Sequence, residues 1–210
     1  MQSAVYWTEI LALLSMLYFH RKHGSARTMI LVIILSSVVL VETIMQFELS
    51  RAWHLALINL AIATQMSLYM FFYISLMRIG GFSKFMVFYL LFYIVFWMVD
   101  SIFFHPMTEN LQSYVYILGA LGVLIFILGY VHQDLLKSQR VSPPHHRYLL
   151  WISGALFFYL ATEIPIMTMI QYMVENELGI SAVPIFEFKF VVTLIYYITY
   201  PIALIWAKTV

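Results

Sequence analysis

Four carboxylates and one ammonium stand inside stretches of sequence that are otherwise apolar: Glu9, Glu42, Asp100, Glu163 and Lys189. In a medium of low dielectric a carboxylate is costly unless paired, so such groups suit cation binding or proton exchange. A lone ammonium in the same medium suits pairing with one of them. Asn59 and Gln65 add neutral polar groups to this set. Lys189, Thr193, Tyr196 and Tyr200 follow at i, i+4, i+7 and i+11, a single stripe along a helix that is expected to face inward. Glu9, Glu42, Asn59, Gln65, Asp100, Glu163, Lys189, Thr193 and Tyr196 therefore form the candidate ligand-binding set. No catalytic residue is assigned, because no nucleophile and base stand at a spacing that brings them together.

Other chemistries have little to build on. The chain has no cysteine, which removes disulfides, thiolate metal sites and a cysteine nucleophile. Its histidines include no H-x-x-x-H or H-E-x-x-H pair that would put two ligands on one helical face, so no metal site is expected. His54 and His105 are the two nearest to the acids. Glu48, Glu109, Glu175 and Glu177 fall between apolar stretches and read as a solvated surface. No cofactor is implied.

The elements that position these groups follow from composition. With 63% hydrophobic and 10% charged residues, the chain lies far from the soluble norm of roughly half apolar and about a quarter charged. Hydropathy predicts spans over Gln2 to Phe19, Thr28 to Phe47, Leu55 to Met77, Phe85 to Phe104, Tyr114 to His132, Tyr148 to Met173 and Ile185 to Ala207. Each must be a helix, since the alternating pattern of a barrel strand is absent. The expectation is an all-α integral membrane bundle of seven transmembrane helices forming one domain over residues 1–210. The first apolar segment lacks a basic lead and a small-residue cleavage site before Glu9, so it reads as a retained helix.

Charge sets the sidedness. Arg21, Lys22, Arg27, Arg78, Lys84, Lys137, Arg140, Arg147 and Lys208 fall in alternate connections or the tail, which leaves only Arg51 and Lys189 on the other side. The positive-inside rule then predicts a cytoplasmic C-terminus and an N-terminus outside. Nine of the ten acids fall on the outer side, Asp134 being the exception. At about 1.5 Å rise per residue, Glu9, Glu42 and Glu163 sit roughly 8 to 10 Å below the outer boundary, with Asp100 and Lys189 about 6 Å below it. They occupy one slab, and their charge predicts that they face the interior or each other. Lys189 is expected to pair with Glu163, because consecutive spans are usually neighbours.

Three further features bear on function. Pro165 and Pro201 each remove a helix hydrogen bond and mark possible bends. Spans 2 and 6 share a basic inner end followed by a glutamate, from Arg27 to Glu42 and from Arg147 to Glu163. Spans 1 to 3 would then match spans 5 to 7 as a parallel repeat, with span 4 as linker. The basic, proline-containing connection from Lys137 to Arg147 suits anionic lipid or a cytoplasmic partner. Net charge near zero excludes nucleic acid as a partner.

Glu42, the run Phe104-His105-Pro106 followed by Asn110 and Ser113-Tyr114, the stretch Leu149 to Gly154, and the ending Tyr197 to Lys208 together resemble short seven-helix inner-membrane proteins of Bacteroidota-type bacteria. The resemblance implies a bacterial inner membrane and the topology above, with no established activity. Such proteins carry a glutamate where this chain has Gln65, which weakens the case for a two-carboxylate site there. The expected function is a receptor-like or signal-modulating protein, binding a small cationic or zwitterionic ligand in a polar pocket in the outer half. A small-solute or proton-coupled transporter is the alternative, and an intramembrane enzyme using carboxylates as acid and base comes third.

Overall fold

Long apolar runs interrupted by short polar connections leave the backbone few choices, and the computed structural model is all-helical over the residues it describes. These are residues 2–24, 26–77, 80–109, 111–137, 144–175 and 183–208. They form α1 Gln2–His23, α2 Ala26–Met45, α3 Arg51–Leu76, α4 Gly81–Val99, α5 Ser113–Lys137, α6 Pro144–Glu175 and α7 Val183–Lys208. A π turn, Asp100–Phe104, extends α4. Its defining bond is from the His105 N–H to the Asp100 carbonyl at 2.8 Å, and Pro106, which has no N–H, follows at once. Pro144 opens α6 at the position where a missing donor costs nothing. Pro165 and Pro201 lie inside continuous helices.

Six helices are long and apolar enough to cross a membrane, namely those over Arg27–Met45, Arg51–Leu76, Gly81–Phe104, Ser113–Gln133, Arg147–Met169 and Glu187–Ile205. They make this an integral membrane protein. α1 is not among them. Gln2, Ser3, Glu9 and Ser15 dilute its apolar character, although its 22 residues give it sufficient length.

The helices pack as a closed ring in the order α1, α2, α3, α5, α6, α7 and back to α1. α4 stands outside, packed mainly against α3 and α5. Most of its surface is accordingly exposed, including Phe88, Leu91, Phe92 and Val95, which face lipid in a membrane. α5 is placed for close packing against α3 and α4. A Cβ at Gly122 would land on the Tyr89 ring, and one at Gly119 would come within 2.9 Å of Tyr93 Oη and 2.8 Å of Met66 Cγ.

The interior of the ring is filled from opposite sides. Tyr69, Tyr73, Tyr148, Tyr196 and Tyr200 are among its largest fully buried side chains. Toward the end where the Lys and Arg residues cluster, here the basic end, Phe19 of α1 stacks on Tyr148 of α6 at 4.0 Å. The Tyr73 hydroxyl of α3 donates to Ser153 Oγ of α6 at 2.9 Å. This half of the ring is a packed core of Met16, Phe19, Phe72, Phe126, Tyr130 and Tyr148. The opposite, acidic end carries the start of α1, the α2–α3 connection and the π turn.

Candidate functional site

Glu163 lies in the middle of α6, where the surrounding apolar sequence holds the helix deep in the bundle, and it is 0% exposed. The Lys189 ammonium of α7 stands 3.2 Å from Glu163 Oε2. This is the pairing expected from sequence. Lys189 meets one side of this carboxylate, and Oε1 on the other side has no hydrogen-bond partner among the described residues. The Lys189 side chain is 35% exposed, so its flexible stem brings the charge inward from a partly open position.

The other acids are arranged around this pair. Glu42 of α2 interacts electrostatically with Lys189 and with His54 of α3, and Glu9 of α1 interacts with Glu42. Glu9 is 3% exposed, and its Oε2 has no hydrogen-bond partner. A line of ionisable groups therefore runs from Glu9 through Glu42 and Lys189 to Glu163, drawn from four helices of the ring. Tyr116 and Tyr159 lie within electrostatic reach of Glu163, and Tyr197 of Glu9 and Glu42. The Tyr116 hydroxyl is buried and lies toward Tyr159.

Below this line the tyrosines are linked. The Tyr69 and Tyr196 hydroxyls are 2.7 Å apart, and those of Tyr196 and Tyr200 are 2.8 Å apart. Gln65, half-buried on α3, approaches the Tyr69 hydroxyl. Thr193 is half-buried, and its hydroxyl donates to the Lys189 carbonyl at 2.9 Å, which commits it to its own helix.

Asn59 and Asp100, although predicted members of the same set, belong to a separate network around the π turn. Asn59 Nδ2 donates to the Met107 carbonyl at 2.9 Å, and its Oδ1 accepts the Gln112 N–H at 3.0 Å. Gln112 Nε2 donates to Ser101 Oγ at 2.8 Å and to the His105 carbonyl at 2.9 Å. Asp100 Oδ1 pairs with His105 Nδ1 at 2.8 Å. These bonds hold the connection into α5 against α3.

The predicted set thus divides into Glu9, Glu42, Glu163 and Lys189, with Gln65, Thr193 and Tyr196 beneath them, and a distinct pair, Asn59 and Asp100. His54, Tyr69, Tyr116, Tyr159 and Tyr197 were not in the predicted set. Tyr159 is one helical turn from Glu163 and was legible from that spacing. His54, Tyr116 and Tyr197 reach the acids, and Tyr69 reaches Tyr196, across helix contacts that carry no sequence signal. Arg78, Asn110, Arg140 and Glu177, with most of the Lys137 to Arg147 connection, lie outside the described residues. Among the described residues, no three His, Asp or Glu side chains converge on a metal-sized point.

Chemically, Glu163 and Glu42 share the Lys189 ammonium, Glu9 stands beside Glu42, and Glu9 Oε2 and Glu163 Oε1 have no hydrogen-bond partner among the described residues. Such a site can accept a cation or a donor group, or exchange protons between carboxylates. Compared with protein-family models, with curated proteins and with solved structures, the chain matches none.

Proposed function

We propose that this protein is a seven-span receptor-like or signal-modulating protein of a bacterial inner membrane, and that it binds a small cationic or zwitterionic ligand. α1 is the seventh span, the acidic end faces outward and the C-terminus is cytoplasmic. α1 shares the ring with the six apolar helices and is long enough to cross, which supports that count. The resemblance to Bacteroidota-type membrane proteins supports the location.

The observation that carries the reading is the excess of carboxylate over ammonium, with a fully buried Glu163 whose Oε2 meets Lys189 and whose Oε1 has no hydrogen-bond partner among the described residues. A buried carboxylate of this kind stabilises an incoming cation more strongly than water-exposed acids do. Lys189 then acts as a resident stand-in. Its partly exposed stem lets it yield the Glu163 carboxylate to a ligand amine and withdraw toward the membrane surface. The packed tyrosine and phenylalanine core toward the basic end supports a pocket closed at its base, as a receptor requires.

A transporter remains the second reading, favoured by one specific observation. The ring order maps onto itself when α1, α2 and α3 are exchanged with α5, α6 and α7, with α4 outside as a linker. Thermal unfolding of the purified full chain in a titration with choline, betaine and the neutral choline isostere 3,3-dimethylbutanol tests the main reading. Saturable stabilisation by choline or betaine, absent with the alcohol and lost in Glu163→Gln, is expected. Equal response to the alcohol, or no response to either charged probe, would reject it. Choline counterflow into proteoliposomes would move the assignment to the transporter.

A further inference from the structure

α6 and α7 enclose a groove on the outer wall of the ring, divided from the polar line by Tyr159 and Tyr196. Its volume is about 540 Å³. The floor is made where a small residue meets open space, since a Cβ added at Gly154 would touch nothing within 4 Å. Phe158, 73% exposed, Trp151 and Ile195 form its walls and face lipid.

The groove offers almost nothing polar to an occupant. The Thr162 and Thr199 hydroxyls donate to the carbonyls of Phe158 and Ile195, 2.7 and 2.8 Å away on their own helices. Tyr159 and Tyr196 stack at 4.8 Å to form the back wall, and the Tyr196 hydroxyl is committed to Tyr69 and Tyr200. A chain of methylenes therefore fits where a polar ligand would forfeit its hydrogen bonds.

Length and charge specify the occupant further. From Leu150 to Thr162 the groove rises about 18 Å at 1.5 Å per residue, comparable to one leaflet of a hydrocarbon core roughly 30 Å thick. On α6 the face reads Arg147, Trp151, Gly154, Phe158 and Thr162, at i, i+4, i+7, i+11 and i+15, so Arg147 stands one turn beyond the groove's mouth on the same face. The groove ends there at the basic end of the bundle, and Trp151 is of the aromatic type that favours the headgroup level.

The geometry points to a binding site for one anionic phospholipid of the basic-end leaflet, with an acyl chain in the α6–α7 groove and its phosphate at Arg147. Arginine suits this role because its planar fork matches a phosphate and stays charged at any depth. This lipid contacts the Tyr159–Tyr196 stack, which backs directly onto the tyrosine chain and the polar line.

Native mass spectrometry of the full chain, titrated in detergent with phosphatidylglycerol or phosphatidylcholine of identical acyl chains, tests this. One bound phosphatidylglycerol is expected, preferred about fivefold over phosphatidylcholine, the worth of one basic residue at an anionic headgroup. Arg147→Gln should bring the two lipids to equality, and Gly154→Phe should remove the bound lipid of either kind. Leu91→Phe, on the lipid-facing wall of α4, should change neither. A readout that needs no groove-filling variant is quenching by brominated-chain phosphatidylglycerol. Quenching should saturate at one equivalent in the native chain and lose that component in Trp151→Phe. Equal retention of both lipids by the native chain, a lipid count unchanged by Gly154→Phe, or quenching without saturation would overturn the proposal. A dimer dissolved by Gly154→Phe would likewise overturn it, giving the groove to a second copy.

Discussion

Lys189 and Glu163 show how far single residues can be read from sequence and where such reading ends. The pair was legible because both side chains are ionisable, stand at similar depth and belong to consecutive helices, and an unpaired charge in hydrocarbon is too costly to leave alone. His54 beside Glu42, and Tyr116 beside Glu163, were not legible, because they depend on how neighbouring helices are rotated against one another. Replacing the lysine removes the ammonium that the fully buried Glu163 carboxylate meets. Lys189→Met should therefore destabilise by about 2 to 3 kcal/mol, toward the lower end for buried pairs because the ammonium is partly exposed. Val95→Met, on the lipid-facing side of α4, should cost less than about 0.5 kcal/mol. Adding Glu163→Gln to Lys189→Met should recover part of the loss, as a double-mutant cycle of unfolding in mixed micelles would measure. Strict additivity of the two changes would remove the pair from the energetic account.

At the scale of elements, hydropathy marks each helix but not its full extent. α6 runs from Pro144 to Glu175, beyond both ends of its apolar run, since hydrogen bonding continues a helix into water where apolar burial no longer demands it. The π turn at Asp100–Phe104 leaves no hydropathic trace, because an i to i−5 bond changes no residue type. Its presence alters the meaning of Asn59, which looked from its depth like a ligand group and instead ties Met107 and Gln112 to α3. Asn59→Leu strands a buried N–H and a carbonyl, at about 1 to 3 kcal/mol per unsatisfied group. The expected outcome is destabilisation by about 2 to 3 kcal/mol and faster proteolysis between Phe104 and Gln112. Affinity for choline should stay unchanged. A loss of affinity with unchanged stability would return Asn59 to the binding set.

For the whole molecule, the seven helices were legible from composition and charge placement predicts their sidedness, whereas the ring order had no sequence signal. α4 is as apolar as its neighbours, and nothing in its sequence distinguishes a helix outside the ring from one within it. What excludes it is local: glycines on α5 let α3 and α4 pack closely there, and α3 meets α5 directly. Sidedness rests on the partition of Lys and Arg, and it is open to a direct measurement because the native chain has no cysteine. Single cysteines can be placed by Glu48→Cys in the α2–α3 connection and Glu109→Cys beyond the π turn, at the acidic end. Gly24→Cys, after α1, and Gly80→Cys, before α4, probe the basic end. With a membrane-impermeant maleimide, the two acidic-end cysteines should react in intact cells, and the two basic-end cysteines only after permeabilisation. Gly24→Cys and Glu48→Cys bracket α2, and Gly80→Cys and Glu109→Cys bracket α4, so opposite reactivity within each pair also tests whether those helices cross. The reverse pattern would turn the bundle over, place the line from Glu9 to Glu163 in the cytoplasmic half, and require any ligand to arrive from inside the cell.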